Sequence, residues 1–232
     1  MGKKCLIIYS SLSGNTEKVA LRFKDTFEKH GWECDNFKVT GKTDIMNLPF
    51  KFKDYDFVCV GSGLILHLPS EEILNAIKIQ TGVDRRPAVR FRMGERPGRE
   101  QQAGSPKDKG DTKPHTHRKI VLGPDAKPAV VFATYAGFEF GPREAEPALQ
   151  LLALEVEHTD FMCIGSFCCP GKFLNHPTPG TYHGDIRDRP NTTDLLKAEL
   201  FIEDKLEQIR ETPASPDVLT AEMYTGDDPE EA

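Results

Sequence analysis

The residues with the clearest chemical purpose form one run near the amino terminus, Ser11-Leu12-Ser13-Gly14-Asn15-Thr16-Glu17. Three hydroxyls (Ser11, Ser13, Thr16), an amide (Asn15) and a flexible glycine (Gly14) are gathered there, with Leu12 among them. Ahead of the run lies an apolar stretch ending at Tyr9. Behind it, Val19, Ala20, Phe23 and Phe27 recur at helical spacing. A turn that leads from a strand into a helix points successive backbone N–H groups one way, and those donors with the helix dipole favour an anion. No Lys stands in the turn. That points away from a nucleoside triphosphate, whose charge is met by a lysine and magnesium, and toward a phosphate held by neutral donors. The alternative is a serine-rich N-cap with no ligand.

The elements that must position this turn read as apolar runs. Lys4 to Tyr9, Phe57 to Val60, Ala129 to Ala133 and Phe161 to Ile164 are short and continuous, as strands buried on both faces are. Glu33 to Val39 alternates more and suits an edge strand. Helical patterns fall between them, from Thr16 to His30 with Gly31 as the stop, from Ser70 through Ile77, from Glu144 to Glu157, and from Thr192 through Ile209. Strands alternating with helices predict an α/β fold, a three-layer, right-handed, doubly wound parallel sheet. Residues 1–210 are expected to form one domain. Within it, 84–127 is a basic, partly irregular insertion before the fourth strand, and 211–232 an acidic, disordered tail.

Composition narrows the function. The chain has 232 residues and a net charge of -6. Between Asp84 and Lys119 there are 11 Lys and Arg against 5 Asp and Glu, so the remainder carries a net -12. An acidic body argues against general nucleic-acid binding and suits basic protein partners. The six cysteines show no C-x-x-C spacing, which disfavours a zinc or iron–sulfur centre. No apolar run approaches the roughly 20 residues that span a bilayer, so no membrane insertion and a cytoplasmic location are expected.

The first turn resembles the phosphate-binding loop of flavodoxins, Ser/Thr-x-Ser/Thr-Gly-Asn-Thr after the first strand. Ser11, Ser13, Gly14, Asn15 and Thr16 match that pattern position by position. The resemblance implies a flavodoxin-like sheet of order 2-1-3-4-5, with FMN as cofactor at the switch point. It places the ring contacts in the loops after the third and fourth strands. The first of these, Gly61 to His67, offers Ser62, Gly63 and Leu64; the second offers Thr134, Tyr135, Ala136, Gly137 and Phe138, with Tyr135 or Phe138 as a stacking ring. Gly61 or Gly63 is implied as the site of the backbone contact to flavin N5. The third-strand loop lacks the aromatic stacker common in flavodoxins and supplies Leu64, Ile65 and Leu66 instead, and the only Trp is Trp32.

Other candidates read as minor. His67 is expected to be a surface histidine, His115 and His117 lack supporting metal ligands, and Cys168-Cys169-Pro170-Gly171 reads as a free thiol pair after the fifth strand. Thr181 to Asp185 reads as a loop at the flavin end of the sheet. The leading functional expectation is electron transport between redox protein partners, with NAD(P)H reaching the flavin through a reductase. The alternatives are an FMN-dependent NAD(P)H oxidoreductase acting on a small acceptor such as a quinone, and a redox-silent binding or scaffold module.

Overall fold

A computed structural model describes residues 2–81, 127–137, 140–173 and 183–211. In chain order its strands are β1 (Lys4–Ser10), β2 (Glu33–Val39), β3 (Phe57–Ile65), β4 (Leu68–Pro69), β5 (Lys127–Tyr135) and β6 (Phe161–Pro170). The helices are α1 (Asn15–Lys29), α2 (Glu71–Gln80), α3 (Glu146–Glu157) and α4 (Thr192–Glu211). Five strands pair in parallel in the order β2-β1-β3-β5-β6, and short β4 folds back antiparallel on β3. This is the expected doubly wound sheet with its flavodoxin-like strand order. Of the expected insertion, only Lys127 is described, as the first residue of β5; the rest, and the tail from 212, lie outside the described residues.

Side-chain alternation along the strands builds a core on each face of the sheet. Leu6, Ile8, Val58, Val60 and Val131 pack with Ile73 and Ile77 of α2 and Leu149 and Leu152 of α3. On the other face Ile7, Cys59, Val130 and Phe132 meet Val19, Phe23 and Phe27 of α1 and Ile202 and Leu206 of α4. Gly61 sits mid-strand because a Cβ there would fall 2.2 Å from the Phe132 ring. It is a packing glycine that lets that ring lie across β3.

Three strands run further than the apolar runs suggest. β3 continues to Ile65 because Gly61, Ser62 and Gly63 stay in register with Phe132, Ala133 and Thr134 of β5. The expected loop over Gly61 to His67 is therefore mostly strand, closed by a two-residue hairpin at Leu66 and His67. Thr134 and Tyr135 likewise belong to β5, and Cys168, Cys169 and Pro170 to β6. Small and polar residues weaken an apolar signal, yet buried backbone groups still need ladder partners, and pairing carries the strands on.

Helix α4 starts on a reciprocal cap. The Asn191 side chain accepts from Thr193 N at 3.1 Å and Asp194 N at 3.2 Å, while Asp194 accepts from Asn191 N at 2.9 Å. The buried Asp194 carboxylate also takes both Nε and Nη2 of Arg189.

Candidate functional site

The carboxyl ends of β1, β3, β5 and β6 lie side by side and define the mouth of the candidate site. Between β1 and α1 the chain turns through Gly14, whose φ of 79° falls in the left-handed region that glycine enters without strain. Gly14 is also the N-cap of α1, and having no side chain it makes no cap bond of its own. Ser11 Oγ accepts from Glu17 N at 3.4 Å and keeps its own hydrogen to donate. Ser13 is half-buried, Gly14 is partly open, and Leu12 is 82% exposed.

Asn15 is fixed from across the mouth. Its Nδ2 donates to Lys172 O at 2.7 Å, and that bond identifies which amide atom is nitrogen. Its Oδ1 is buried with no partner. Gly171 lies so close that a Cβ there would stand 2.6 Å from Asn15 Nδ2. Thr16 is fully buried, and its Oγ1 lies 2.9 Å from Thr134 Oγ1. A Cβ on Gly63 would sit 3.4 Å from Thr16 Oγ1 and 4.0 Å from Thr134 Oγ1. Residues predicted from three separate segments, Asn15 and Thr16, Gly63, and Thr134, thus meet at one point.

The other predicted residues divide. Ser62 is fully buried and accepts from Ser70 N at 2.9 Å, so it braces the start of α2. Leu64 pairs with Pro69 in the hairpin, half-buried against the core. The hairpin tip is strained: Leu66 and His67 have φ of 50° and 66°, unusual for residues with a Cβ. Ile65, Leu66 and Leu68 are exposed there, so the aliphatic run expected near the ring stands at the mouth's surface. Ala136 is half-buried and Gly137 buried at the end of β5. Tyr135 is only 4% exposed. Its ring is drawn into the core and its hydroxyl lies 2.9 Å from His183 Nε2. Phe138 lies outside the described residues.

The electrostatics are those of a neutral pocket with shielded charges. Glu17 accepts from Lys38 Nζ at 2.8 Å, which holds its carboxyl below the usual range, and from the Tyr9 hydroxyl at 3.2 Å. Burial pushes the Tyr9 hydroxyl up to about 12. Burial likewise raises the thiol of Cys168 to about 11 and that of Cys169 further. Neither thiol is an activated nucleophile. Among the described residues no group of His, Cys, Asp and Glu is arranged to hold a metal.

Three contributors escape the sequence. Gly171 and Lys172 reach the site because β6 runs on past its apolar stretch; the Pro170-Gly171 turn is the signal that could have found them. Glu144 is buried and accepts from Gly137 N and Phe140 N, both at 3.1 Å, which shapes the loop after β5. Nothing in the local sequence marks it.

No protein-family model and no curated protein matches the sequence. Solved structures do match the fold. Flavodoxin 2 from Bacillus cereus is 15% identical, over 88% of this chain and 99% of that one, at a TM-score of 0.52. A flavodoxin from the domain Archaea is 13% identical, over 89% and 99%, at 0.50. The Flv1 flavodiiron core from Synechocystis is 13% identical over 90% of this chain but only 36% of its own, at 0.52. The fold is flavodoxin-like. No described helix is long and apolar enough to cross a membrane.

Proposed function

We propose that this chain binds FMN noncovalently at the carboxyl edge of its sheet and passes electrons between redox protein partners. The observation that carries the reading is the start of α1, where a left-handed glycine stands at the N-cap and Ser11 reaches only Glu17 N, beside a buried, unpartnered Asn15 Oδ1. The first N–H groups of a helix, with its dipole, donate to an anion. A buried acceptor beside them asks for a donor, and an unpaired buried carbonyl is costly. A phosphate carried on a hydroxylated chain, as in FMN, offers both groups in sequence.

In this reading the backbone of Gly14, Asn15 and Thr16, with the Ser11 and Ser13 hydroxyls, holds the phosphate. Asn15 Oδ1 accepts from a ribityl hydroxyl. Gly63, Leu64, Ala136 and Gly137 let the backbone approach a flat ring, and the hairpin supplies an aliphatic edge. Bound FMN supplies reversible electron transfer at its ring, and the protein sets its position and potential.

The test is titration of the flavin-free protein with FMN and with riboflavin. FMN should bind and riboflavin should bind about a hundredfold more weakly, since the phosphate anchor is worth a few kcal/mol. Equal affinities, or no flavin binding, overturn the reading. One observation favours a reductase as second reading: the 183–190 segment packs onto the mouth through His183, a wall that a carrier does not require. Bleaching of the bound flavin by NADH or NADPH alone would select the reductase. Bleaching only through a partner reductase would select the carrier.

A further inference from the structure

Strand β5 ends at Tyr135, whose hydroxyl lies 2.9 Å from Nε2 of His183, a residue 48 positions further along the chain. The two rings are 5.7 Å apart. Gly137, with φ of 68°, rests directly on the pair: a Cβ there would lie 3.0 Å from both His183 Cδ2 and Tyr135 Cε2. Its N–H is held from the other side by Glu144 at 3.1 Å. Tyr135 also reaches the phosphate turn, because its carbonyl accepts from Gly171 N at 2.8 Å and Gly171 abuts Asn15. A shift of the Tyr135–His183 pair is therefore felt by the loop after β5 and by the turn that opens α1.

We propose that the Tyr135–His183 hydrogen bond is an acid-sensitive latch that positions both loops at the mouth of the site. Its effect on affinity rests on the flavin-binding reading; its existence does not.

Among the described residues, Arg189 on its own segment, Asp194 and Lys197 on α4, and Glu144 ahead of α3 act on His183 electrostatically. Burial, then Arg189, holds the imidazole below its ordinary pKa, and burial holds the Tyr135 hydroxyl well above its own. Near neutral pH a neutral phenol thus faces a neutral imidazole, and in the tautomer with hydrogen on Nδ1 the phenol donates to Nε2. Protonation gives both ring nitrogens a hydrogen. Nε2 then turns from acceptor to donor, the phenolic hydrogen must leave the contact, and a cation sits near Arg189. For a base whose pKa is lowered by folding, the neutral state is complete above the unperturbed value. The phenol-to-imidazole latch is complete there and is reversed, with the pair rearranged around the new charge, as pH falls through the lowered value.

The experiment uses the full chain. FMN affinity is measured from about pH 7.5 down through the His183 titration, located by NMR, for wild type, His183→Gln and Tyr135→Phe. The His183 ring and the Gly137 amide are followed by NMR without flavin. Wild type should lose affinity roughly fivefold on acidification, the scale of one neutral hydrogen bond. His183→Gln, whose Oε1 accepts the phenolic hydrogen but does not titrate, should lose less than wild type, keeping only the loss that protonation of the FMN phosphate, with its second pKa at about 6, imposes on every variant. Tyr135→Phe should bind weakly throughout. Without flavin, the Gly137 amide should follow the His183 titration in wild type and not in Tyr135→Phe. An unchanged acid loss in His183→Gln, or a Gly137 amide indifferent to the imidazole, overturns the latch even if FMN binds. A Gly137 amide that follows the imidazole in a chain that binds no FMN supports the latch and overturns the flavin reading.

Discussion

Gly171→Ala adds one methyl group where there is no room. On the native backbone that carbon would stand 2.6 Å from Asn15 Nδ2 and 2.9 Å from both Cβ and Cγ of the same side chain. Gly171 is not among the residues with positive φ, so the penalty is steric and not conformational. The atom in the way is no loose side-chain end. Asn15 is 5% exposed, opens α1, and is bonded at 2.7 Å to Lys172 O. Displacing it forfeits that hydrogen bond, about 1 kcal/mol, and crowding adds roughly another 1 kcal/mol. Without ligand the turn relaxes away from the methyl. A bound phosphate requires its native shape, so the cost falls on binding: about 2 kcal/mol, or roughly a thirtyfold weaker Kd for FMN. Quenching of flavin fluorescence on titration gives the number. Gly165→Ala is the control, on the same strand but facing the flexible Lys205 Cε at 2.8 Å, and it should bind FMN as wild type does. Wild-type affinity in a folded Gly171→Ala protein, or equal losses in both variants, would refute the reasoning.

Gly61→Ala should destabilise the fold by about 2 kcal/mol in urea unfolding, because its methyl would overlap the Phe132 ring in the core. Asp194→Asn should cost about 2–3 kcal/mol, read as a lowered melting temperature, since it strips Arg189 of a buried partner and weakens the α4 cap. The Glu17 carboxyl, lowered chiefly by Lys38, contributes stability present above the ordinary carboxylate range and lost as pH falls through the lowered value. Lys38→Met should return the Glu17 titration, followed by NMR, toward that ordinary range. Deleting residues 88–118 should leave FMN affinity unchanged in the same fluorescence titration, because α2 ends at Gln80 and β5 begins at Lys127, away from the mouth.

The sheet was legible because a strand buried on both faces must be apolar throughout, so Leu6-Ile7-Ile8 and Ala129-Val130-Val131 declare themselves. Strand ends were not. Ser62, Gly63 and Thr134 look like loop residues, yet each remains in the ladder, and register there is set by neighbouring strands. The turn at Ser11 to Thr16 was legible because its chemistry is local and sequential. The placement of Tyr135 was not, since an aromatic residue at a strand end serves equally as a ring platform or as core. What decided it was a histidine 48 residues away. Glu144 and Lys172 were invisible for the same reason: one acts through its side chain on distant amides, the other through a carbonyl that every residue possesses.

The shelf on which Asn15 leans, Gly171 and Lys172, comes directly after β6. A chain emerging from the ribosome as far as α2 already displays the whole serine–glycine–asparagine signature, but nothing yet stands opposite it. An amino-terminal fragment ending there would carry a perfect motif and remain colourless in flavin solution. On the FMN proposal, loading then waits for β6 and the two residues after it, and yellow colour would report that the sheet is assembled.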